Sequence, residues 1–185
     1  MFYQNKNIIV IVTGSIAAFK AAVLVRYLIE QGAQVRVSLT AAGAKFVGPL
    51  TFSTLTKYPV LQDIFDQNDG QVLHVKWARW ADYIFVVPAT ADFLAKAANG
   101  LADDAASSTL LASSARKIAA PAMNDQMWEN QATKRNVKQL KKDGWLIIEP
   151  VVGFLAEGYD AKGRLPEPED IILQAQVRLL AEKVL

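Results

Sequence analysis

NIIVIVTGSIAAFKAAVLVRYLIEQG, residues 7–32, decides the fold. From Ile8 to Val12 the chain is apolar and mostly β-branched at consecutive positions, so neither face is set aside for water, the pattern of a strand buried in a parallel sheet. After Thr13-Gly14 the period changes. Apolar residues recur at helical spacing from Ile16 to Ile29, Ser15 stands where a helix N-cap belongs, and Gly32 stands where the helix should stop. Strand, tight turn and helix in that order form the front half of a βαβ unit.

The same alternation runs outward from there. AQVRVSLT (33–40) reads as a second strand, and a short helix from Gly48 to Thr56 leads into a strand-like PVLQDIF (59–65). HVKWARWAD is helical from His74, DYIFVVPAT (82–90) is a buried strand, and ADFLAKAAN and DDAASSTLLASSA are helices. KIAAPAMN (117–124) is a strand with its exit loop, followed by a charged helix from about Gln126 to Lys142 and a strand in WLIIEP (145–150). GFLAEGYDAKGRLPEPED has three glycines and two prolines, which predicts a mobile flap at about 151–168, and IILQAQVRLLAEKVL closes as a helix. The expectation is one α/β domain over 1–185: a doubly wound parallel sheet with helices on both faces, Rossmann or flavodoxin-like.

Composition removes several classes of function. Twenty basic and 18 acidic residues are mixed through both halves, so no broad basic face is expected and no nucleic-acid partner. The absence of Cys excludes disulfides, thiolate metal sites and cysteine nucleophiles. The apolar run Ile8–Val12 is far too short for a signal core or a membrane span, which predicts no membrane partner and a cytoplasmic location. Asp103-Asp104 has no further ligand at metal spacing and reads as a solvated helix start, so no metal is expected.

Ligands of such sheets sit beyond the carboxyl ends of the strands. The exits to read are therefore Thr13-Gly14-Ser15, Ser38-Leu39-Thr40, Pro88-Ala89-Thr90 and Pro121 to Asn124. Gly14-Ser15 suits either a phosphate on a helix N-terminus or a plain capped turn, and Thr40 would add a hydroxyl to the same phosphate. The full dinucleotide fingerprint is missing, because SIAAFK follows Gly14. His74, the sole histidine, is either a helix-start residue or a catalyst. Asn124 is a ligand contact or an N-cap, while Met123, Met127 and Trp128 suit packing.

Taken together, GSIAAFK (14–20), His74, PATAD (88–92) and PAMNDQMW (121–128) resemble the motifs of the homo-oligomeric flavin-containing cysteine decarboxylases, and the resemblance runs from Asn7 to Ile172. It implies FMN as cofactor, held by Gly14, Ser15, Ile16, Thr40, Pro88, Ala89, Thr90 and Ser107. It implies a small-molecule thiol substrate whose carboxylate is held by Asn124, with Met127 and Ala156 beside it and His74 next to the flavin. Homotrimers, often assembled into dodecamers, with FMN between subunits, are part of the same implication. The branch that decarboxylates phosphopantothenoylcysteine in coenzyme A biosynthesis fits the flap best. Its flap usually carries an Ala-Cys-Gly whose thiol protonates an enethiol, whereas this chain has Ala156-Glu157-Gly158. Glu157 is then either a substitute acid or a solvated loop residue. Peptidyl-cysteine decarboxylases that stop at the enethiol, and flavin-binding regulatory subunits, are the alternatives; retention of both His74 and Asn124 favours an enzyme.

Overall fold

The computed structural model describes residues 1–65 and 72–182. Five parallel strands, β1 (Asn7–Val12), β2 (Gln34–Leu39), β3 (Tyr83–Ala89), β4 (Arg116–Pro121) and β5 (Leu146–Ile147), form one sheet in the order β2-β1-β3-β4-β5. The chain builds outward from β1 to β2, then returns past β1 to begin β3 on the other side. That reversal leaves a crevice at the carboxyl ends of β1 and β3, the ligand position of a doubly wound sheet.

The pleat of β1 explains its unbroken apolar run. Ile8, Val10 and Val12 enter one core with Leu24 and Leu28 of α1 (Ala18–Glu30) and Ile171 of α8 (Pro168–Glu182). Ile9 and Ile11 enter a second core on the opposite face. There they meet Trp77 of α3 (Leu73–Trp80), Phe93 of α4 (Ala91–Asn99), Leu110 of α5 (Ala105–Ala112) and Leu140 of α7 (Gln131–Lys142). A strand with a helix layer on each face has no position to give to water, so alternation disappears from its sequence. α2 (Pro49–Thr56) packs on the α1 side through Phe52.

Several expected boundaries move, each for a local reason. Ser15 does not cap α1. A turn made by Ser15 N–H to Thr13 O (3.0 Å) and Ala18 N–H to Ser15 O (2.9 Å) intervenes, and the helix starts at Ala18 with Ala17 as N-cap. PVLQDIF is not a strand: Leu61 alone bridges Ser38. The helix expected from Gln126 to Lys142 is two, α6 (Asp125–Glu129) and α7, because Asn130 leaves the helical region and its side chain accepts from Ala132 N–H at 2.9 Å. WLIIEP contributes only Leu146–Ile147 to the sheet. The flap is an antiparallel hairpin, β6 (Val151–Phe154) and β7 (Asp160–Arg164). The last three residues of the expected terminal helix, 183–185, lie outside the described residues.

Asn130 thus decides where α7 begins. Asn130→Ala should lower the unfolding free energy by about 1 kcal/mol in a denaturant titration, and Asn130→Asp should recover most of it.

Candidate active site

The strand exits are held together by their own polar groups. Thr13, buried at the end of β1, donates from Oγ1 to Pro88 O at 2.6 Å and accepts from Thr90 N–H at 3.1 Å. Thr90 then caps α4, its Oγ1 accepting from Phe93 N–H at 3.3 Å. Ala122 N–H reaches Ala89 O at 3.2 Å, which brings the exit of β4 alongside. Gly14 has no room for a side chain: a Cβ there would stand 2.5 Å from the Cβ of Ala42.

These exits wall a cleft of about 530 Å³ that includes Thr13, Gly14, Thr40, Ala42, Thr90 and Met127. Its size is that of a small-molecule or cofactor site. The first turn of α4 opens into it, with amide groups that the helix itself leaves unpaired. Lys96, which the sequence reading had not singled out, lies on the same wall with Asp92 and Asp104. Lys96 pairs with Asp103 at 3.0 Å and Asp92 at 3.5 Å, and the Asp103 hydrogen bond raises the ammonium above its usual range. A second cleft, about 190 Å³, lies under the hairpin and is lined by Ser15, Ile16, Met123, Asn124, Ala156 and Glu157 among others. Gly14 lines the first and Ser15 the second, so one turn is the wall common to both.

The hairpin is fastened at its base and its tip. At the base, the nearly buried Lys20 of α1 donates to Leu165 O (3.3 Å) and to Glu167 (2.8 Å). Along β7, Met123 N–H reaches Gly163 O at 3.1 Å, and a Cβ on Gly163 would fall 2.1 Å from Met123 O. At the tip, Asn124 Nδ2 donates to Glu157 Oε1 (3.0 Å) and to the Tyr159 hydroxyl (3.1 Å), which donates in turn to Asp125 Oδ1 at 2.7 Å. Asn124 Oδ1 accepts from Gln126 N–H at 2.9 Å, so the residue is also the N-cap of α6.

The expected site residues divide accordingly. Asn124, Glu157 and Ala156 meet under the hairpin, and Gly14, Thr40, Thr90 and Met127 meet at the strand exits. Met127 is half exposed there, which removes the packing role. Thr40 Oγ1 is occupied within the chain, donating to Val12 O (3.3 Å) and accepting from Gly43 N–H (3.0 Å). Ser107 is buried in a capping box with Asp104 and lines a separate cavity beside Trp145. Asp104 is thus a cap, which accounts for half of the Asp103-Asp104 pair, and the ion pair with Lys96 accounts for the other. His74 stands in the first turn of α3 and lines neither cleft; its buried Nδ1 has no hydrogen-bond partner among the described residues. Tyr159 and Thr13 carry more of the geometry than the sequence reading gave them. The signal for Thr13 is a lone hydroxyl ending an apolar strand at the switch point.

A family model described as Flavoprotein matches residues 2–180. The chain is 45% identical over 180 residues to the coenzyme A biosynthesis bifunctional protein CoaBC of Bacillus subtilis (strain 168), covering 97% of this chain and 44% of the relative. It is 39% identical over 169 residues to CoaBC of Borreliella burgdorferi, covering 91% and 43%. The chain therefore spans less than half the length of these curated relatives. Among solved structures, the FMN-dependent cysteine decarboxylase SpaF superposes with a TM-score of 0.82 at 33% identity, covering 96% of this chain and 98% of that one. A PPC decarboxylase mutant complexed with pantothenoylaminoethenethiol gives 0.82 at 28% identity, covering 97% and 100%. Among the described residues no helix is long and apolar enough to cross a membrane.

The tip of the hairpin carries a pH dependence. Hydrogen bonding, first from Tyr159 and then from Gln126, holds the Asp125 carboxyl below its ordinary 3.8, and the same bond to Asp125 raises Tyr159 above its ordinary 10.0. The depressed carboxyl stabilises the closed tip above pH 3.8 and loses that effect as pH falls through the folded value; the raised phenol does so below pH 10.0 and loses it as pH rises. In an NMR carboxyl titration, Tyr159→Phe should move Asp125 back up towards 3.8. An unmoved Asp125 would mean that the hydroxyl is not the cause.

Proposed function

The chain belongs to the flavoprotein family, and from that premise we propose that it is an FMN-dependent decarboxylase. Its substrate is 4′-phosphopantothenoylcysteine and its product 4′-phosphopantetheine, a step of coenzyme A biosynthesis. The relatives named CoaBC and the neighbour complexed with pantothenoylaminoethenethiol support this choice of substrate. The observation that carries the reading is the contact of Asn124 Nδ2 with a carboxylate, that of Glu157, at 3.0 Å under the hairpin and one turn away from the crevice of β1 and β3. A group that already receives a carboxylate there is placed to receive the cysteinyl carboxylate.

The strand-exit cleft fits FMN. It offers one phosphate-sized polar corner, made by the Gly14 backbone, Thr90 and the unpaired amides of α4, within a volume that admits a ring system. When bound, the flavin supplies a two-electron acceptor, the sink that a cysteinyl carbon needs before its carboxylate can leave as CO₂. The chain's residues then have three tasks. Asn124 fixes the carboxylate for departure. The hairpin, held by Lys20, Gly163 and Tyr159, excludes water from the cleft while the sulfur-bearing carbon is reactive. Glu157 is the carboxyl group at the hairpin tip and serves as the acid that returns a proton to carbon.

His74 belongs to the same chemistry, positioning or deprotonating the thiol. Since it lines neither cleft of one chain, it reaches the site by self-association, and a homotrimer able to build a dodecamer is part of this proposal. Exposed Ile16 in the turn before α1, Phe19 and Val23 of α1, and Leu50 of α2 supply an apolar face for it. The reading takes residues 1–185 as one flavoprotein domain with its covering flap at 151–168, acting in the cytoplasm on a small-molecule thiol.

The purified protein should be yellow and release FMN on denaturation; a colourless protein that takes up no added FMN would end this reading. His74→Asn and Asn124→Asp should each lower decarboxylation by a hundredfold or more, about 3 kcal/mol of transition-state stabilisation, with FMN still bound. Glu157→Gln should let CO₂ leave yet accumulate the enethiol, read by mass spectrometry, and Glu157→Cys should form the saturated thiol. If the wild type itself yields only the enethiol, the peptidyl-cysteine type of chemistry replaces the coenzyme A assignment.

A further inference from the structure

A third cleft, about 390 Å³, lies on the outer side of β7, and no part of the proposed chemistry uses it. Its floor is apolar, made by the buried Trp128 of α6 and Val137 of α7. Its walls carry Lys134, Lys138 and Lys141, which share one face of α7, and Lys162 of β7. Glu149 holds Lys141 (3.1 Å) and Lys162 (2.9 Å) from opposite sides, Lys162 stands 5.9 Å above the Trp128 ring, and Lys134 pairs with Glu129. Lys138 has no ion-pair partner among the described residues. Four ammonium groups against two carboxylates leave a net charge of +2 on one small concave surface.

We propose that this lysine-walled cleft binds the phosphate end of the substrate. The inference rests on the reading of function given above and adds to it the place where the phosphate is recognised. A phosphate monoester carries between one and a half and two negative charges at neutral pH, which matches the surplus. The position suits the two ends of one molecule. Asn124 is the N-cap of α6 and Trp128 lies one turn further along the same short helix, while β7 gives Gly163 to the cleft under the hairpin and Lys162 to this one. The carboxylate and the phosphate of phosphopantothenoylcysteine stand at opposite ends of a flexible chain that carries a gem-dimethyl carbon next to the phosphate arm, then a hydroxyl and two amides; the gem-dimethyl carbon suits the apolar floor of Trp128 and Val137, and the phosphate suits the lysines around it. The hairpin would then be seated by both ends of the substrate, since Lys162 belongs to its second strand and Glu157 to its tip.

Isothermal titration of the FMN-loaded protein with 4′-phosphopantetheine and with pantetheine, which differ only by the phosphate, tests this. The wild type should bind the phosphorylated compound at least about tenfold more tightly, and the margin should narrow as salt is added, because the lysines are solvent-exposed. In the double variant Lys134→Met, Lys138→Met the two compounds should bind alike; methionine keeps the helical preference and removes the charge. Equal binding by the wild type, or a margin that survives in the double variant, overturns the inference. A decarboxylation assay with phosphopantothenoylcysteine separates this from the larger question. Turnover without a phosphate margin overturns the phosphate site alone, whereas no turnover overturns the proposed function and this inference with it.

Discussion

One buried hydroxyl joins the two strands between which the sheet changes direction. Thr13 Oγ1 donates to Pro88 O and accepts from Thr90 N–H, so the exits of β1 and β3 cannot move apart without leaving a carbonyl and an amide unsatisfied. The strand exits that line the two clefts are referenced to that junction. Gly14 and Ser15 follow it directly, α4 starts from it, and Ala122 is drawn in through Ala89 O. In a parallel sheet the crevice at the switch point is an unavoidable consequence of strand order. Here the hydroxyl gives it a fixed width.

The second level is the hairpin, whose fastening differs along its length. Its base is tied by a nearly buried ammonium and its middle by backbone contact that excludes any side chain at Gly163, while its tip depends on exposed hydrogen bonds. Exposed bonds between side chains contribute little net free energy because water competes for both partners. The tip is accordingly the part that opens at least cost.

The parts of the fold readable in the sequence were those in which one requirement acted alone. β1 and α1 could be read because burial on both faces of a strand and on one face of a helix imposes different periods on adjacent residues. The break at Asn130 was hidden, since an asparagine inside a charged helical stretch looks like one more polar residue until its side chain is seen to take an amide of the next helix. The hairpin was read as a flap because both strands are mostly exposed and contain glycine, and because β7, DAKGR, has neither apolar alternation nor a β-branched residue to answer Val151-Val152 of β6. Asn124 and Gly14 could be found as a polar residue and a glycine at strand exits, and Glu157 by the place it takes in the flap, but the hydroxyls of Thr40 and Ser107 could not be sorted. A hydroxyl serves a backbone group or a ligand equally well, and only the distances decide. His74 was named from the sequence, but in one chain it stands apart from both clefts with its buried Nδ1 unpartnered among the described residues, and no feature of the sequence marks that separation.

The double engagement of Asn124 fixes the sense of its amide. With Oδ1 committed to the Gln126 N–H, rotation by half a turn would set Nδ2 against another donor, so only the hydrogen-bearing edge faces the cleft. The helix start thereby acts as a polarity filter for whatever enters beneath the hairpin. Acceptors are admitted at no cost in side-chain reorientation, and donors meet a like dipole. An isosteric carboxylate at this position would keep the helix cap and reverse the filter, turning a receptor for anions into a residue that repels both Glu157 and any acid brought in to replace it.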